Sequence, residues 1–529
     1  MIQKWDAPIE LSAQERQLLS LTKKQPLWRF IRENRHQILS EDVLAALHAM
    51  YAESGRGLAL SPERLALALI LQVANGVADQ DVPLLTATDR LWRMVLNGLD
   101  EELDTPMFGQ GTVFNFRERA RSSGFLDVLL QRTVQLAREN AGFSHKRLRA
   151  LIDSSPLLGA GRVEDSFNLI GRAISQLVEV AAAETGLDAA SVASELALTV
   201  VSAKSVKAAL DVDWRRPDAR EAALKELLVQ LKRVEEWLVQ QVPKEIVARP
   251  PVSTALETVH ALVGQDVEPD PTVPPDQIGA PRFREGGADR QVSLSDPDMR
   301  HGRKTKTRVF VGYKRHALVD ADVRGLVIAV HVDAANEREY SAAEPLLTGA
   351  EQAGFSITET HIDRGYLPSD AVHERRRMGM KLVTKPPTLV AMEGRFTKAD
   401  FTFDEAKNEL ECPNGRVIAV VNLMAAYPAK GCVGCPLTAR CLPESGRKVV
   451  RLHPHESFHR EMTADLATPS GRAARRVRVA VEHVLARFSA IQGVRARYRG
   501  LAKNQFHATA VAVVANLHVL NGQAARLAA

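Results

Sequence analysis

The stretch that decides the reading is HIDRGYLPSD, residues 361–370. An apolar, β-branched run from Ser356 to Ile362 leads directly into Asp363, and Arg364-Gly365-Tyr366 then turns the chain ahead of a helix. An ionised carboxylate gains nothing inside a buried strand unless something pairs with it. At the C-terminal end of a strand in an α/β sheet, by contrast, it stands where ligands and metals are usually bound. An ordinary Asp-x-Gly surface turn accounts for these residues equally well, so other carboxylates have to decide.

Upstream, Val309–Val319 and Gly325–Val332 read as the two strands of a hairpin joined by the turn Asp320–Arg324. Leu148-Arg-Ala-Leu-Ile-Asp153 is a short apolar strand that also ends on an aspartate. A helix from Glu339 to about Ala353 separates the hairpin from the Ser356 strand. A helix over Val372–Arg377, a strand at Lys381–Thr384 and a late helix carrying Val481-Glu482-His483 follow. The order is β, helical insertion, ββ, α, β, α, β, a mixed α/β fold. Its first and fourth strands can be neighbours, so Asp153 and Asp363 would emerge at one edge, with the late helix delivering Glu482. Three acids on rigid elements suit two divalent cations, which activate an attacking oxygen and stabilise the leaving oxygen of a phosphodiester. Magnesium fits, because it needs only a few carboxylates and keeps water ligands. The alternatives are a capping role for Asp153 and, for Glu482, an ion pair with Arg478 or Arg487. Asp320, Asp322 and Asp333 fit turn and strand-end roles.

The 529 residues allow two to four domains. Residues 1–145 read as a helical N-terminal domain, either for DNA binding or dimerisation or, equally allowed, a plain structural bundle. Ser61-Pro62-Glu63 starts a helix, a second runs through Thr88–Trp92 to Asn97-Gly98, a third begins near Thr112, and Arg117, Arg119 and Arg121 lie among them. Residues 146–165 hold the first strand, and 166–248 a helical insertion in which Leu227, Leu231, Val234 and Leu238 line one helix face. Seven prolines between Pro250 and Pro281 mark 249–290 as a poorly structured linker. The core continues over 291–390, a cysteine-containing insertion occupies 391–465, and 466–529 carry the late helix and a basic region.

The composition, 45% hydrophobic and 25% charged, is that of a soluble globular chain, with no signal peptide and no membrane span. The net charge of +5 is compatible with a polyanion, and local clustering says more. Basic residues concentrate from Arg472 to Lys503 and again in His301–Arg308. The cysteines, Cys412, Cys432, Cys435 and Cys441, are confined to one short segment. Their spacing offers four thiolates to one tetrahedral structural zinc, with free structural cysteines as the alternative. The chain is expected in a reducing cytosol. His453, His455 and His459 nearby read as loop or DNA-facing residues.

Taken together these residues resemble the DDE transposases of bacterial insertion sequences, in particular the group numbered eleven-eighty-two. The resemblance is carried by Asp153–Asp165, Asp296-Pro-Asp-Met-Arg-His-Gly-Arg-Lys304, Gly312-Tyr-Lys-Arg-His316, Asp363-Arg-Gly-Tyr366, Val481-Glu-His-Val484 and Arg499-Gly-Leu-Ala-Lys503. It covers most of 148–520 and reaches Phe108–Arg119. It implies an RNase H-like catalytic core with Asp153, Asp363 and Glu482 holding two Mg²⁺ or Mn²⁺ ions. It also implies cleavage at transposon ends and strand transfer into target DNA. The implied partner is double-stranded DNA, as terminal inverted repeats and target, bound by a homodimer in the bacterial cytoplasm at the nucleoid. Candidate DNA contacts are Arg303, Lys304, Lys306, Lys314, Arg475, Arg478, Arg487, Arg495, Arg497, Arg499 and Lys503. Arg478 matches an arginine that in related transposases precedes the catalytic glutamate by one turn. Arg475 and Ser489 stand where a tyrosine and a lysine would be expected, with Arg487 as a substitute contact. A domesticated DNA-binding protein without chemistry and a metal-dependent nuclease without strand transfer are the competing functions.

Overall fold

The computed structural model describes residues 5–22, 26–51, 60–143, 146–274, 277–284, 286–287, 289–305, 307–391, 394–443 and 446–527. Lys306 lies outside the described residues.

The N-terminal region is helical. α1 (Pro62–Asn75) starts where the Ser61 hydroxyl accepts the Arg64 N–H at 3.4 Å and proline occupies the first turn. The helix expected through Thr88–Trp92 is broken in two, because the Asp89 carboxylate caps a fresh helix by accepting the N–H groups of Leu91 and Trp92. α2 (Gln110–Ser123) and α3 (Phe125–Asn140) follow. The arginines of α2 are internal ties. Arg117 donates to Asp79 at 2.5 Å and to the Tyr498 hydroxyl at 3.2 Å, Arg121 pairs with Glu118, and Arg119 lies over the Tyr51 ring.

The sheet contains β1 (Arg147–Leu158), β2 (Arg300–Arg303), β3 (Val309–Asp320), β4 (Val327–Ala334), β5 (Ser356–His361) and β6 (Lys381–Val383). Its order is β4-β3-β1-β5-β6, with β2 beside β4 on the same edge of β3. β3 is antiparallel to β1, β2 and β4, whereas β1, β5 and β6 are parallel. The expected hairpin is therefore β3–β4. β1 corrects one expectation: Asp153 does not end it. The strand continues through Ser154–Leu158 against β3, and Pro156 is accommodated because β5 has already stopped and this part of β1 has lost its parallel neighbour.

Between β1 and β2 the chain builds a helical insertion with its own core. α4 (Ser166–Thr185), α5 (Pro217–Gln241) and α6 (Val252–Asp266) are its main helices, and Leu227, Leu231, Val234 and Leu238 form the buried stripe of α5. The proline-rich segment is more ordered than expected. Pro250 and Pro251 only introduce α6, whose Val252, Ala255, Val259 and Leu262 are buried in that core.

Beyond β4 come α7 (Ala343–Gln352) and α8 (Asp370–Arg377). Residues 402–404, 409–411 and 417–419 then form a small sheet, with 424–427 paired to 448–451, around Phe401, Leu410, Tyr427 and Val450. Of the three histidines flanking this subdomain, His453 and His455 lie in a loop as expected, His453 exposed and His455 stacked on His373 of α8 at 3.6 Å, whereas His459 departs from the expectation, being buried in the helix that follows. α9 (Glu456–Ala467), α10 (Pro469–Arg476), α11 (Val479–Gln492) and α12 (Leu501–Leu527) complete the chain. Among the described residues no helix is long and apolar enough to cross a membrane.

α12 is the central helix. From Phe506 to Leu520 it is buried almost all round, packed on α1, α3 and β4. Two amides on it satisfy the outer edge of β4. Asn516 accepts the Val327 N–H and donates to the Val327 carbonyl, and Gln505 does the same for the N–H of Val332 and the carbonyl of Val330. One apolar core thus runs from the N-terminal helices through the sheet to α12.

Candidate active site

The site is built where β1 and β5 part. Leu151 of β1 is opposite His361 of β5, so two residues further each chain reaches an aspartate, Asp153 and Asp363. β5 has ended by then, and the fork between the strands opens into a cavity of about 500 Å³. Asp153 and Ser155, two apart on β1, share a face. α11 covers that face through Val481, Val484, Leu485 and Phe488, spaced as one helical stripe. That packing sets Glu482 in the first turn of α11 on the cavity rim, where the helix dipole favours a negative charge. Asp153, Asp363 and Glu482 all line this cavity.

Arg478 sits among them. Its guanidinium donates to Asp153 at 2.7 Å and to Glu482 at 3.2 Å, so the helical ion pair weighed for Glu482 is present and extends to the aspartate. Burial pushes the Asp153 carboxyl above its ordinary value, Arg478 pulls it back in part, and the charges of Asp363 and Glu339 push it up further. Carboxylate oxygens suit a hard divalent cation. As they stand, however, no three metal-ligating side chains among the described residues come together tightly enough to hold one, and Arg478 provides the positive charge.

α11 is held against the sheet by Arg315, which the Gly312–His316 motif contains without a role assigned to it. Arg315 of β3 is 1% exposed, and its guanidinium donates to Ser155, to the Ser489 and Gln492 side chains, and to the Gly493 carbonyl. Past Gly493, residues 494–496 pair with the end of β1 at Leu158. Ser489, at the position where a lysine was expected, is therefore a structural acceptor that also lines the cavity. Three of the sequence motifs close the next joint. Asp296 accepts the Gly500 N–H and the Tyr313 hydroxyl, and Asp298 accepts the Leu501 N–H, capping α12. Gly312 and Gly159 pass so closely that a Cβ on Gly312 would lie 2.2 Å from the Gly159 nitrogen.

The basic candidates divide. Arg303, Lys304 and Lys314 line the cavity with the acids. Arg475 and Arg478 line an adjoining hollow of about 380 Å³, together with Lys385, Arg472 and Arg476, which were not among the candidates, and with Asp363 and Glu482. Arg475 and Arg476 form no ion pair among the described residues. Arg495, Arg499 and Lys503 are exposed, Arg495 donating to the Gly159 carbonyl at 3.2 Å. Two candidates are placed otherwise. Arg497 donates to the Val77 carbonyl and lies near Asp79, tying the C-terminal segment to α1. Arg487 is five residues past Glu482, about 140° round the helix; it borders neither hollow and faces Gly325 and His518.

The four cysteines are free thiols at intermediate exposure, and Cys412, Cys432 and Cys441 pack on the core of their subdomain. Burial raises the Cys441 thiol, and the other three thiols add to the effect. Among the described residues they do not form a metal-holding group.

Residues 412–521 match the family model described as transposase DDE domain. No curated protein and no solved structure matches the chain. The matched segment contains the cysteine subdomain from Cys412, α11 with Glu482, and most of α12, including the two amides that close the sheet. The likeness to the transposase DDE domain is thus carried by the C-terminal part of the chain, from the cysteine subdomain to α12.

Proposed function

We propose that this protein is a DNA transposase that cuts at the ends of a mobile element and joins the resulting 3′-hydroxyl to target DNA. In this reading the sheet is an RNase H-like core, with β4-β3-β1-β5-β6 as its strands, and Asp153, Asp363 and Glu482 are its catalytic acids. The single observation that carries the reading is that Asp153 and Asp363 follow matching positions of adjacent parallel strands, in a cavity also lined by Glu482 from the matched segment. These carboxylates would hold two Mg²⁺ or Mn²⁺ ions, which supply an activated oxygen nucleophile and charge stabilisation at the phosphate. The chain's own residues do the rest. Arg315 fixes α11 and hence Glu482, while Arg303, Lys304 and Lys314 on one side and Lys385, Arg472, Arg475 and Arg476 on the other present cations to a phosphate backbone. A homodimer would bring two such sites to two transposon ends.

The test is incubation of purified protein with Mg²⁺ and duplexes carrying the element's terminal repeats. Wild-type protein should nick at the repeat ends and transfer them to a plasmid. Asp363→Asn should lose cleavage by about 10³-fold or more, at least ~4 kcal/mol of barrier, while binding the same duplex. Retention of cleavage by that variant would remove Asp363 from the chemistry. Nicking without any joined product would favour a nuclease.

A further inference from the structure

The cavity holds a fourth carboxylate. Glu339 follows β4 and opens the short turn before α7, between Asp153 and Asp363 in sequence. Its carboxylate is wedged in the fork of the sheet. Oε1 accepts the Ser154 hydroxyl at 2.5 Å, and Oε2 lies where a Cβ on Gly365 would be, 1.8 Å from that point. Ser154 immediately follows Asp153, and Gly365 comes two residues after Asp363. Glu339 is thus gripped by the neighbours of both aspartates, and only the lack of a side chain at Gly365 lets it in.

Neither Glu339 nor Asp363 has a cationic partner within ion-pair distance among the described residues, and the nearby Lys314 ammonium is taken up by the Glu337 carbonyl. Arg478 serves Asp153 and Glu482 alone. A half-buried carboxylate beside two others costs free energy unless a cation joins it.

We propose that Glu339 is a fourth member of the catalytic acid set, helping to hold the divalent cation on the Asp153–Asp363 side of the cavity. The proposal rests on reading that cavity as the catalytic one. A purely structural role would make Glu339 a hydrogen-bond acceptor for Ser154, which glutamine also supplies. A cation-holding role needs the charge.

Mn²⁺ binding to the full-length protein, followed by electron paramagnetic resonance without DNA, separates the two. Glu339→Gln should fold with an unchanged or slightly higher melting temperature and bind Mn²⁺ about 10- to 100-fold more weakly. Gly365→Ala, which fills the cradle, should weaken binding in the same way, and the double variant should add little to either. The Mg²⁺ concentration for half-maximal cleavage should rise in parallel. Wild-type Mn²⁺ affinity in Glu339→Gln, alongside loss of binding in Asp363→Asn, would overturn the proposal and leave the catalytic reading intact. Unchanged Mn²⁺ binding in Asp363→Asn itself would overturn both.

Discussion

Arg478 and Asp153, 325 positions apart in sequence, are in direct contact at 2.7 Å, and the same guanidinium also reaches Glu482. In the proposed site this cation stands in for metal charge. Removing it leaves repelling carboxylates whose repulsion a divalent ion relieves. A partly buried pair of this kind is worth on the order of 1 kcal/mol, so Arg478→Ala should tighten Mn²⁺ binding by about fivefold. Weaker binding in that variant would instead make Arg478 a support for the acids.

Asp153 should carry a stability cost that depends on pH. Burial holds its carboxyl above the ordinary 3.8 in the folded chain, so the native state binds this proton more tightly than the unfolded one. Stability is therefore lost as pH rises from that ordinary value through the raised one, and the loss is complete above it. Asp153→Asn should melt at a higher temperature than wild type at pH 7, and the gain should vanish near pH 3. A scanning calorimeter run at both pH values checks the sign.

Arg315 should behave as a structural rivet. Its guanidinium serves four acceptors on β1, α11 and the Gly493 turn, and burial pushes its pKa down to about 10. Arg315→Met leaves buried acceptors unmet and should cost about 3 kcal/mol in chemical denaturation. Arg315→Lys should recover little, because an ammonium cannot span the same fork. Recovery by lysine would show that charge alone is needed.

The two basic walls should differ from the C-terminal arginines in their salt dependence. Arg475 and Arg476, or Arg303 and Lys304, replaced in pairs by alanine, should each lower the slope of log affinity against log salt by about 0.9 for every phosphate no longer neutralised. Arg497→Ala should leave that slope unchanged and lower the melting temperature, since its partner is the Val77 carbonyl. An altered slope for Arg497→Ala would move DNA to the C-terminal segment.

What could be read from the chain alone followed local signals. Asp363 was legible because a β-branched run ends in a turn at that point, and α5 because its leucines repeat on one face. The continuation of β1 was hidden by Ser-Ser-Pro, which signals a turn unless one knows that β5 has already stopped. α6 was hidden by prolines that introduce a helix instead of preventing one. Glu339 and the roles of Arg315 and Arg497 were out of reach for another reason. Their partners Ser154, Ser155 and Val77 lie 185, 160 and 420 residues away, and no local pattern encodes such a meeting.

The amides of α12 along β4 have a consequence for synthesis. Asn516 emerges 189 residues after the strand residue it satisfies, and Gln505 follows Val332 by 173. A ribosome adding 5–20 residues per second takes roughly 10–40 s to deliver them. Throughout that interval the nascent chain presents a bare strand edge, the kind of surface that recruits a neighbouring polypeptide. A chain cut before residue 505 would keep that edge open, so closure of the sheet waits on a helix made well over a hundred residues after the strand it seals.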